Sequence, residues 1–128
     1  MSYLTHLECS LCGRTFDADR VQRTCPDCAR PLLARYDLGS VRTQGREAVL
    51  TDESTMWRYR ALLPVRSQRN VVTLGEGWTP LVPARRLGER LGLRHLYVKD
   101  ESLNPTGSFK ARGLAVAISR ARELGVRE

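Results

Sequence analysis

One lysine in this sequence is a candidate for covalent chemistry. Of its 21 lysine and arginine residues, only Lys99 and Lys110 are lysines. An amine can lose its proton near neutral pH and condense with an aldehyde, whereas a guanidinium stays protonated. Lys110 stands just past a turn-rich segment, residues 104–107, at the start of a predicted helix. A lysine kept in an arginine-biased chain therefore indicates either amine chemistry or a surface residue left by chance.

The cysteines offer a second kind of chemistry. All four lie in two CxxC pairs that are separated by 12 residues, Cys9 with Cys12 and Cys25 with Cys28. Each pair can direct two sulfurs at one centre, and two pairs complete a tetrahedral zinc site. Two disulfides are the alternative, but the chain looks cytosolic, where thiols stay reduced. The pattern predicts a structural zinc that stabilises a zinc ribbon and has no open position for catalysis.

The elements around these residues indicate how they are positioned. In the ribbon, residues 15–16 and 21–22 are expected to form a short hairpin. A strand over residues 95–99 leads into the turn before Lys110, and Ser108 is expected to cap a helix over residues 109–124. That helix carries an apolar stripe and ends at a glycine C-cap. The stripe consists of Leu114, Ala117, Ile118, Ala121 and Leu124.

The location of Lys110 in the first helical turn has a chemical consequence. Backbone N–H groups and the helix dipole there disfavour an ammonium ion and favour a neutral amine. The preceding loop lies at the end of a strand, where ligands collect in open α/β folds. These features together suit an aldehyde cofactor such as pyridoxal phosphate. Lys99 is expected to form only a structural ion pair with Asp100 or Glu101.

The chain divides into three predicted parts. Residues 1–37 form a zinc-ribbon-like module, and residues 38–72 form a connector arm. Residues 73–128 begin an α/β catalytic domain that contains a helix over residues 84–93 and a further strand that starts at Val126. The arm carries four residues that are expected to pack it against a larger body. These are Trp57, Tyr59, Leu62 and Leu63.

Composition limits the class of protein. Hydrophobic residues make up 41% of the sequence and charged residues 27%, which is typical of a globular protein. No apolar run approaches the roughly 20 residues that span a bilayer, and the N-terminus lacks the pattern of a secretory signal. We therefore expect a cytoplasmic protein without a membrane partner. The formal net charge of +7 is compatible with nucleic acid or with small anionic substrates.

A family resemblance rests on residues 104–113, Asn-Pro-Thr-Gly-Ser-Phe-Lys-Ala-Arg-Gly. This segment closely resembles the cofactor-attachment segment of the tryptophan-synthase-β-like enzymes, the fold type II pyridoxal-phosphate-dependent family. Within that family it is most similar to the threonine synthases. Residues 57–64 resemble the arm that precedes their catalytic body, and residues 74–81, Leu-Gly-Glu-Gly-Trp-Thr-Pro-Leu, resemble their LGEGNTPL segment. Some members also carry a zinc-ribbon-like extension.

The resemblance implies a site and a reaction. Lys110 would form a Schiff base with pyridoxal 5′-phosphate and act as general acid and base, while Ser108 and Phe109 would line the cofactor. The substrate would be O-phospho-L-homoserine, which water converts to L-threonine and phosphate. Two departures, Trp78 for Asn and Ala111 for Asp, leave threonine or serine dehydratase and cysteate synthase open. The resemblance also allows a homodimer for the full-length enzyme.

Two further expectations concern how much of the enzyme the chain contains and which other function the sequence allows. Enzymes of this family are much longer, and their groups for the cofactor phosphate and ring nitrogen would come after Glu128. The chain is therefore interpreted as an N-terminal fragment that lacks activity alone and exposes apolar surface. The rival from another class is a zinc-ribbon module that binds nucleic acid. That rival leaves residues 104–113 unexplained.

Overall fold

Two small antiparallel sheets, three helices and short 3₁₀ segments make a mixed α/β fold in the computed structural model, which describes residues 2–127. The strands are β1 (Leu4–Cys9), β2 (Thr15–Asp17), β3 (Leu32–Tyr36), β4 (Leu81–Pro83) and β5 (Tyr97–Lys99). The helices are α1 (Leu38–Gln44), α2 (Arg85–Leu91) and α3 (Lys110–Glu123). Within these residues both sheets are antiparallel, and α3, the longest helix, is too short and too polar to cross a bilayer.

The first sheet has the order β2-β1-β3, so β1 is its central strand. Leu7 of β1 faces Phe16 on one side and Ala34 on the other. The predicted hairpin between residues 15–16 and 21–22 is therefore wrong, because β2 pairs with β1. The first CxxC turn causes this pairing. It reverses the chain through Gly13, whose φ is +71°, so that residues 15–17 fold back on β1.

The core of the molecule lies between the arm and α3. Met56, Trp57, Val65 and Ala115 form one buried cluster. Trp57 is fully buried in the 3₁₀ segment Met56–Leu62, which begins where the Thr55 side chain accepts a hydrogen bond from the Trp57 N–H. The packing role predicted for Trp57 is confirmed. The same prediction is wrong for Tyr59, whose side chain is on the surface.

Helix α3 packs through a face of small residues. Ala111, Ala115 and Ser119 are buried, and the Ser119 hydroxyl accepts a hydrogen bond from the Val72 N–H at 2.8 Å. The helix begins one residue later than predicted. The apolar stripe identified from the sequence lies on the other side, where Leu114 is 57% exposed and Ile118 is 53% exposed. Residues three and four apart share a helix face, so α3 carries two separate packing faces.

The second sheet and α2 adjoin the loop before α3. Val82 of β4 faces Val98 of β5. Helix α2 is shorter at both ends than the predicted helix over residues 84–93, and Gly92 in the left-handed conformation closes its C-terminal end. Gly88 is buried, and a Cβ there would lie 2.6 Å from the Leu93 carbonyl oxygen. The strand predicted to start at Val126 is absent from the described residues. The Val126 N–H instead donates to the Ala121 carbonyl and closes the end of α3.

Candidate metal centre and cofactor-attachment loop

The four cysteine sulfurs converge on one point. The Sγ atoms of Cys9, Cys12, Cys25 and Cys28 all lie within 4.8 Å of one another. Cys9 and Cys28 are 3.3 Å apart, and Cys12 and Cys25 are 3.7 Å apart, measured between sulfurs. Four thiolates at 2.3 Å from a tetrahedral zinc ion would be separated by about 3.8 Å. The arrangement therefore fits a closed four-cysteine zinc site.

Backbone N–H groups favour the thiolate form of Cys9, which is the form that binds a metal. The N–H groups of Cys12 and Leu11 point at the Cys9 Sγ, at 3.5 Å and 3.4 Å. They lower the pKa of the Cys9 thiol to about 6, because an N–H donor favours the thiolate over the thiol. Cys9 and Cys25 are buried and Cys12 is exposed. Cys9 is the last residue of β1, so the centre lies at one end of the first sheet.

The loop between the two cysteine pairs is anchored on α3. The Arg120 guanidinium, near the C-terminal end of the helix, donates to the Ala18 carbonyl and to the Asp19 carboxylate, each at 2.7 Å. Arg66 donates to the same Asp19 oxygen, and Arg120 also pairs with Glu123. Ala18 is itself buried. The candidate metal centre is therefore connected to the helix that carries Lys110.

The candidate attachment loop ends at Lys110. The Gly107 N–H donates to the Asn104 carbonyl at 2.7 Å, which closes a turn in which Gly107 has φ of +64°. The Ser108 Oγ then accepts a hydrogen bond from the Lys110 N–H at 3.2 Å, although the N-cap of α3 is Phe109, one residue later than the predicted cap. Lys110 is exposed, and no carboxylate of the described residues pairs with it. Its amine is thus accessible, which fits a covalent attachment point.

Phe109 occupies the position between the cap and the lysine. Its side chain is 64% exposed, which is unusual for an aromatic ring of this size. The ring lies outside the buried cluster of the arm and α3. Exposed rings beside an accessible amine could cover one side of a flat cofactor, which agrees with the role that the resemblance implies for this residue.

A polar network fixes the loop from behind. The buried Asn104 side chain accepts from the Gly77 N–H at 3.0 Å and donates to the Glu101 carboxylate at 3.0 Å. The Arg112 guanidinium makes two hydrogen bonds of 2.7 Å to that carboxylate, and the Thr79 hydroxyl makes a third at 2.6 Å. The loop is thereby tied to α3 and to residues 77–79. Charge-assisted, bidentate contacts of this kind hold geometry well.

The predicted ion pair of Lys99 with Asp100 or Glu101 is wrong. Glu101 pairs with Arg112, whereas Lys99 has no carboxylate partner among residues 2–127. The Lys99 ammonium donates instead to the Thr79 carbonyl. The side chain of Arg112 reaches back from the first turn of α3, and this contact across the loop is not visible in the local sequence.

A buried glutamate was missed by the sequence analysis. Glu76 is 1% exposed, and its carboxylate accepts from the Trp57 indole N–H at 2.9 Å, from the Thr73 hydroxyl and from the Leu74 N–H. These donors satisfy a carboxylate that burial would otherwise destabilise strongly. The position of this glutamate between two glycines could have indicated its burial, since a charged residue in a tight loop usually has a specific partner.

The glycine loop also explains an unusual tryptophan. A Cβ at Gly77 would lie 2.5 Å from the Met56 backbone nitrogen, so only glycine fits there. Trp78 follows with φ of +52°, a left-handed conformation that asparagine adopts more readily than tryptophan. The departure from the LGEGNTPL segment at Trp78 therefore lies at a position whose backbone conformation suits asparagine. The Trp78 ring stacks against the Arg58 guanidinium at 4.4 Å.

The Glu101 carboxylate should make stability depend on pH. Hydrogen bonds from Arg112, and then from Thr79, lower its pKa from 4.5 to about 2. A carboxyl group with a lowered pKa stabilises the fold above its unfolded pKa and loses that contribution as the pH falls toward its folded pKa. We expect the thermal midpoint to fall between pH 4.5 and pH 2, and to fall less in Glu101→Gln. The exposed Glu47 is the matched control, and an equal pH profile for Glu47→Gln and Glu101→Gln would contradict this prediction.

Comparison with known proteins gives the same assignment as residues 104–113. Residues 72–128 match the family described as pyridoxal-phosphate dependent enzyme. The threonine synthase of Methanosarcina acetivorans is 44% identical over 121 residues, which are 94% of this chain and 29% of that protein. The threonine synthase of Methanocaldococcus jannaschii is 44% identical over 119 residues, 92% of this chain and 29% of that protein. The threonine synthase of Synechocystis sp. is 53% identical over 70 residues, 54% of this chain and 18% of that protein.

The chain thus spans less than a third of the length of these relatives. That share agrees with the interpretation of the chain as part of a longer enzyme. The resemblance inferred from the sequence is confirmed by the family match and by the similarity to threonine synthases. No solved structure matches the chain.

Proposed function

We propose, because residues 72–128 match the pyridoxal-phosphate dependent enzyme family and the chain is similar to threonine synthases, that Lys110 is the cofactor-attachment lysine of a threonine synthase-like enzyme. The observation that carries the proposal is the location of Lys110. It is the first residue of α3, it is exposed, and it directly follows a loop that Asn104, Glu101 and Arg112 hold in place. A rigid loop and a free amine are what covalent attachment at a defined position requires.

The residues of this chain would supply part of the reaction. When bound, pyridoxal phosphate stores the negative charge that develops on a substrate carbon. Lys110 would hold the cofactor, and its free amine would move protons at the substrate carbons. Ser108 would fix the start of α3 and line the site together with the exposed Phe109 ring. The overall reaction would convert O-phospho-L-homoserine and water to L-threonine and phosphate.

The cysteine cluster would have a structural role. Cys9, Cys12, Cys25 and Cys28 would bind one Zn²⁺ with all four positions filled by protein, so no water could be activated there. In this proposal residues 1–37 form the zinc-ribbon-like module, residues 38–72 the arm and residues 73–128 the start of the catalytic domain. A zinc-bound thiolate cluster is typical of a reducing compartment, which supports the cytoplasm as its location.

Product analysis of the natural protein tests the proposed reaction. With O-phospho-L-homoserine we expect stoichiometric release of phosphate and formation of L-threonine, and no keto acid from L-threonine or L-serine. Keto-acid formation without phosphate release would identify a dehydratase instead. Cysteate formation from O-phosphoserine and sulfite would identify a cysteate synthase. Salt-dependent binding of nucleic acid, with no cofactor absorbance, would favour the zinc-ribbon alternative.

A further inference from the structure

A cleft of about 440 Å³ lies between the arm and the loop that follows Gly77. Arg58 and Tyr59 line it from the arm, Trp78 from the loop, Lys99 from the end of β5 and Arg112 from α3. Three of these five side chains are cationic. None of them has a role in holding Lys110 except Arg112, which pairs with Glu101.

The cations of the cleft are incompletely neutralised. Glu101 is engaged by Arg112, and the Glu76 carboxylate behind the cleft is occupied by Trp57, Thr73 and Leu74. Among residues 2–127, no carboxylate pairs with Arg58 or Lys99, and the buried Nε atom of Arg58 has no hydrogen-bond acceptor. Two cations that share a cleft without carboxylate partners repel each other, and an anion between them would remove that repulsion.

The guanidinium of Arg58 lies over the faces of two aromatic rings, which fix its orientation. It stacks on Trp78 at 4.4 Å and lies 5.7 Å from the Tyr59 ring centroid. Stacking occupies the face of a guanidinium and leaves its N–H edge for a planar or tetrahedral oxyanion. The Trp78 residue that makes this contact has a left-handed backbone conformation. Backbone conformations of this kind concentrate at binding sites, where other contacts maintain them.

The cleft is separate from the side of α3 that carries Lys110. Two residues along an α-helix correspond to a rotation of about 200°, so Arg112 and Lys110 point to nearly opposite sides. Lys110 shares its side with the exposed Leu114, whereas Arg112 reaches toward Glu101 and Thr79. We propose that the cleft binds a phosphate group through Arg58 and Lys99, at a site distinct from the attachment lysine.

Two kinds of ligand could place a phosphate group in this cleft. A free phosphate ion and the phosphate monoester of a small molecule present the same anionic oxygens, which complement Arg58 and Lys99, since neither has a carboxylate partner among residues 2–127 and Lys99 donates only to the Thr79 carbonyl. The volume of the cleft exceeds that of a phosphate ion, so a monoester with a small organic group also fits. The site rests on Arg58, Lys99 and Trp78, and it does not depend on the function proposed for Lys110.

A titration of the protein with inorganic phosphate and, separately, with O-phosphoserine tests the site. The signal is the NMR resonance of the Trp78 indole N–H, followed at constant ionic strength with chloride as the balancing anion. We expect a saturable shift for at least one probe, and the tighter of the two identifies the source. In Arg58→Gln the dissociation constant should rise by about tenfold or more, the range for losing a charge-assisted contact.

The control variant is Arg86→Gln, which removes the same charge from an exposed residue of α2 and should leave the dissociation constant unchanged. If Arg58→Gln lowers the thermal midpoint so far that the fold is lost, Lys99→Gln replaces it and should weaken binding in the same direction. A shift that does not saturate with either probe overturns the proposal. An equal loss in Arg58→Gln and Arg86→Gln overturns it too, because that result would reflect overall charge alone.

Discussion

Replacing Cys25 with serine is expected to abolish zinc binding and to unfold the sheet formed by residues 4–36. Cys25 is 1% exposed, and its sulfur lies 3.7 Å from that of Cys12. Few side chains of this sheet are buried, so a metal would supply most of its folding energy. Structural zinc in small modules contributes on the order of 10 kcal/mol, which exceeds any single side-chain contact in the chain.

Metal analysis of the purified, reduced protein measures this effect. The unmodified chain should hold one zinc per molecule, and the Cys25→Ser variant should hold far less and lose the signal of the sheet by circular dichroism. Ser10→Ala is the matched control, because Ser10 lies between the first two ligands but offers no sulfur. An unmodified chain without stoichiometric zinc would show that the four sulfurs do not form a metal site.

The loss of folded structure is expected to extend beyond the zinc-ribbon-like module. Arg120 of α3 donates to the Ala18 carbonyl and to Asp19, both in the loop between the two cysteine pairs. Its side chain is only 12% exposed, so unfolding of that loop would leave a largely buried cation with Glu123 as its remaining partner. A cation that loses hydrogen bonds at a buried position is destabilising. The C-terminal end of α3 should therefore loosen when the metal is removed.

Trp57→Ala should have the second largest effect. Its side chain is fully buried among Met56, Val65 and Ala115, and its indole N–H donates to Glu76. Removal of a buried tryptophan costs about 3–5 kcal/mol, and loss of one of the hydrogen bonds to the buried Glu76 carboxylate adds about 1–3 kcal/mol. Domains of this size have total stabilities of about 5–15 kcal/mol, so the variant should be largely unfolded.

Two variants separate the contributions in that prediction. Trp57→Phe keeps an aromatic ring and removes the hydrogen bond to Glu76, so it should be destabilised by less than the alanine variant. Tyr59→Ala removes an aromatic ring from the same 3₁₀ segment, where the side chain is exposed, and should change the free energy of unfolding by only about 0.5 kcal/mol. Denaturant unfolding measures all three, and equal effects of Trp57→Ala and Tyr59→Ala would contradict the assigned core.

The features that could be predicted from the sequence are those determined by residues close to one another along the chain. The two CxxC pairs predict a candidate metal centre because each pair places two sulfurs close together within one turn, and the four sulfurs do converge. The loop before Lys110 is recognisable because its turn residues and Ser108, whose hydroxyl accepts a hydrogen bond from the Lys110 N–H, lie within a few positions of one another. The exposed stripe of Leu114 and Ile118 follows directly from helical periodicity.

Features that depend on distant residues could not be predicted in this way. The pairing of β2 with β1 depends on how tightly the first CxxC turn folds back, and the sequence equally permits a hairpin with residues 21–22. The ion pair of Glu101 with Arg112 crosses the attachment loop, and the bond from Trp57 to Glu76 joins the arm to the glycine loop. The buried face of α3, Ala111 and Ser119, is made of small residues that carry little hydrophobic signal.

Lys110→Ala provides the most direct test of the proposed function. Pyridoxal phosphate bound covalently to a lysine gives an absorbance band in the visible region, and borohydride reduction fixes the cofactor on that residue. In the natural protein we expect this band to vanish in Lys110→Ala and to survive in Lys99→Ala, with the reduced cofactor found on the peptide that contains Lys110. Persistence of the band in Lys110→Ala, or reduced cofactor on Lys99, would contradict the account.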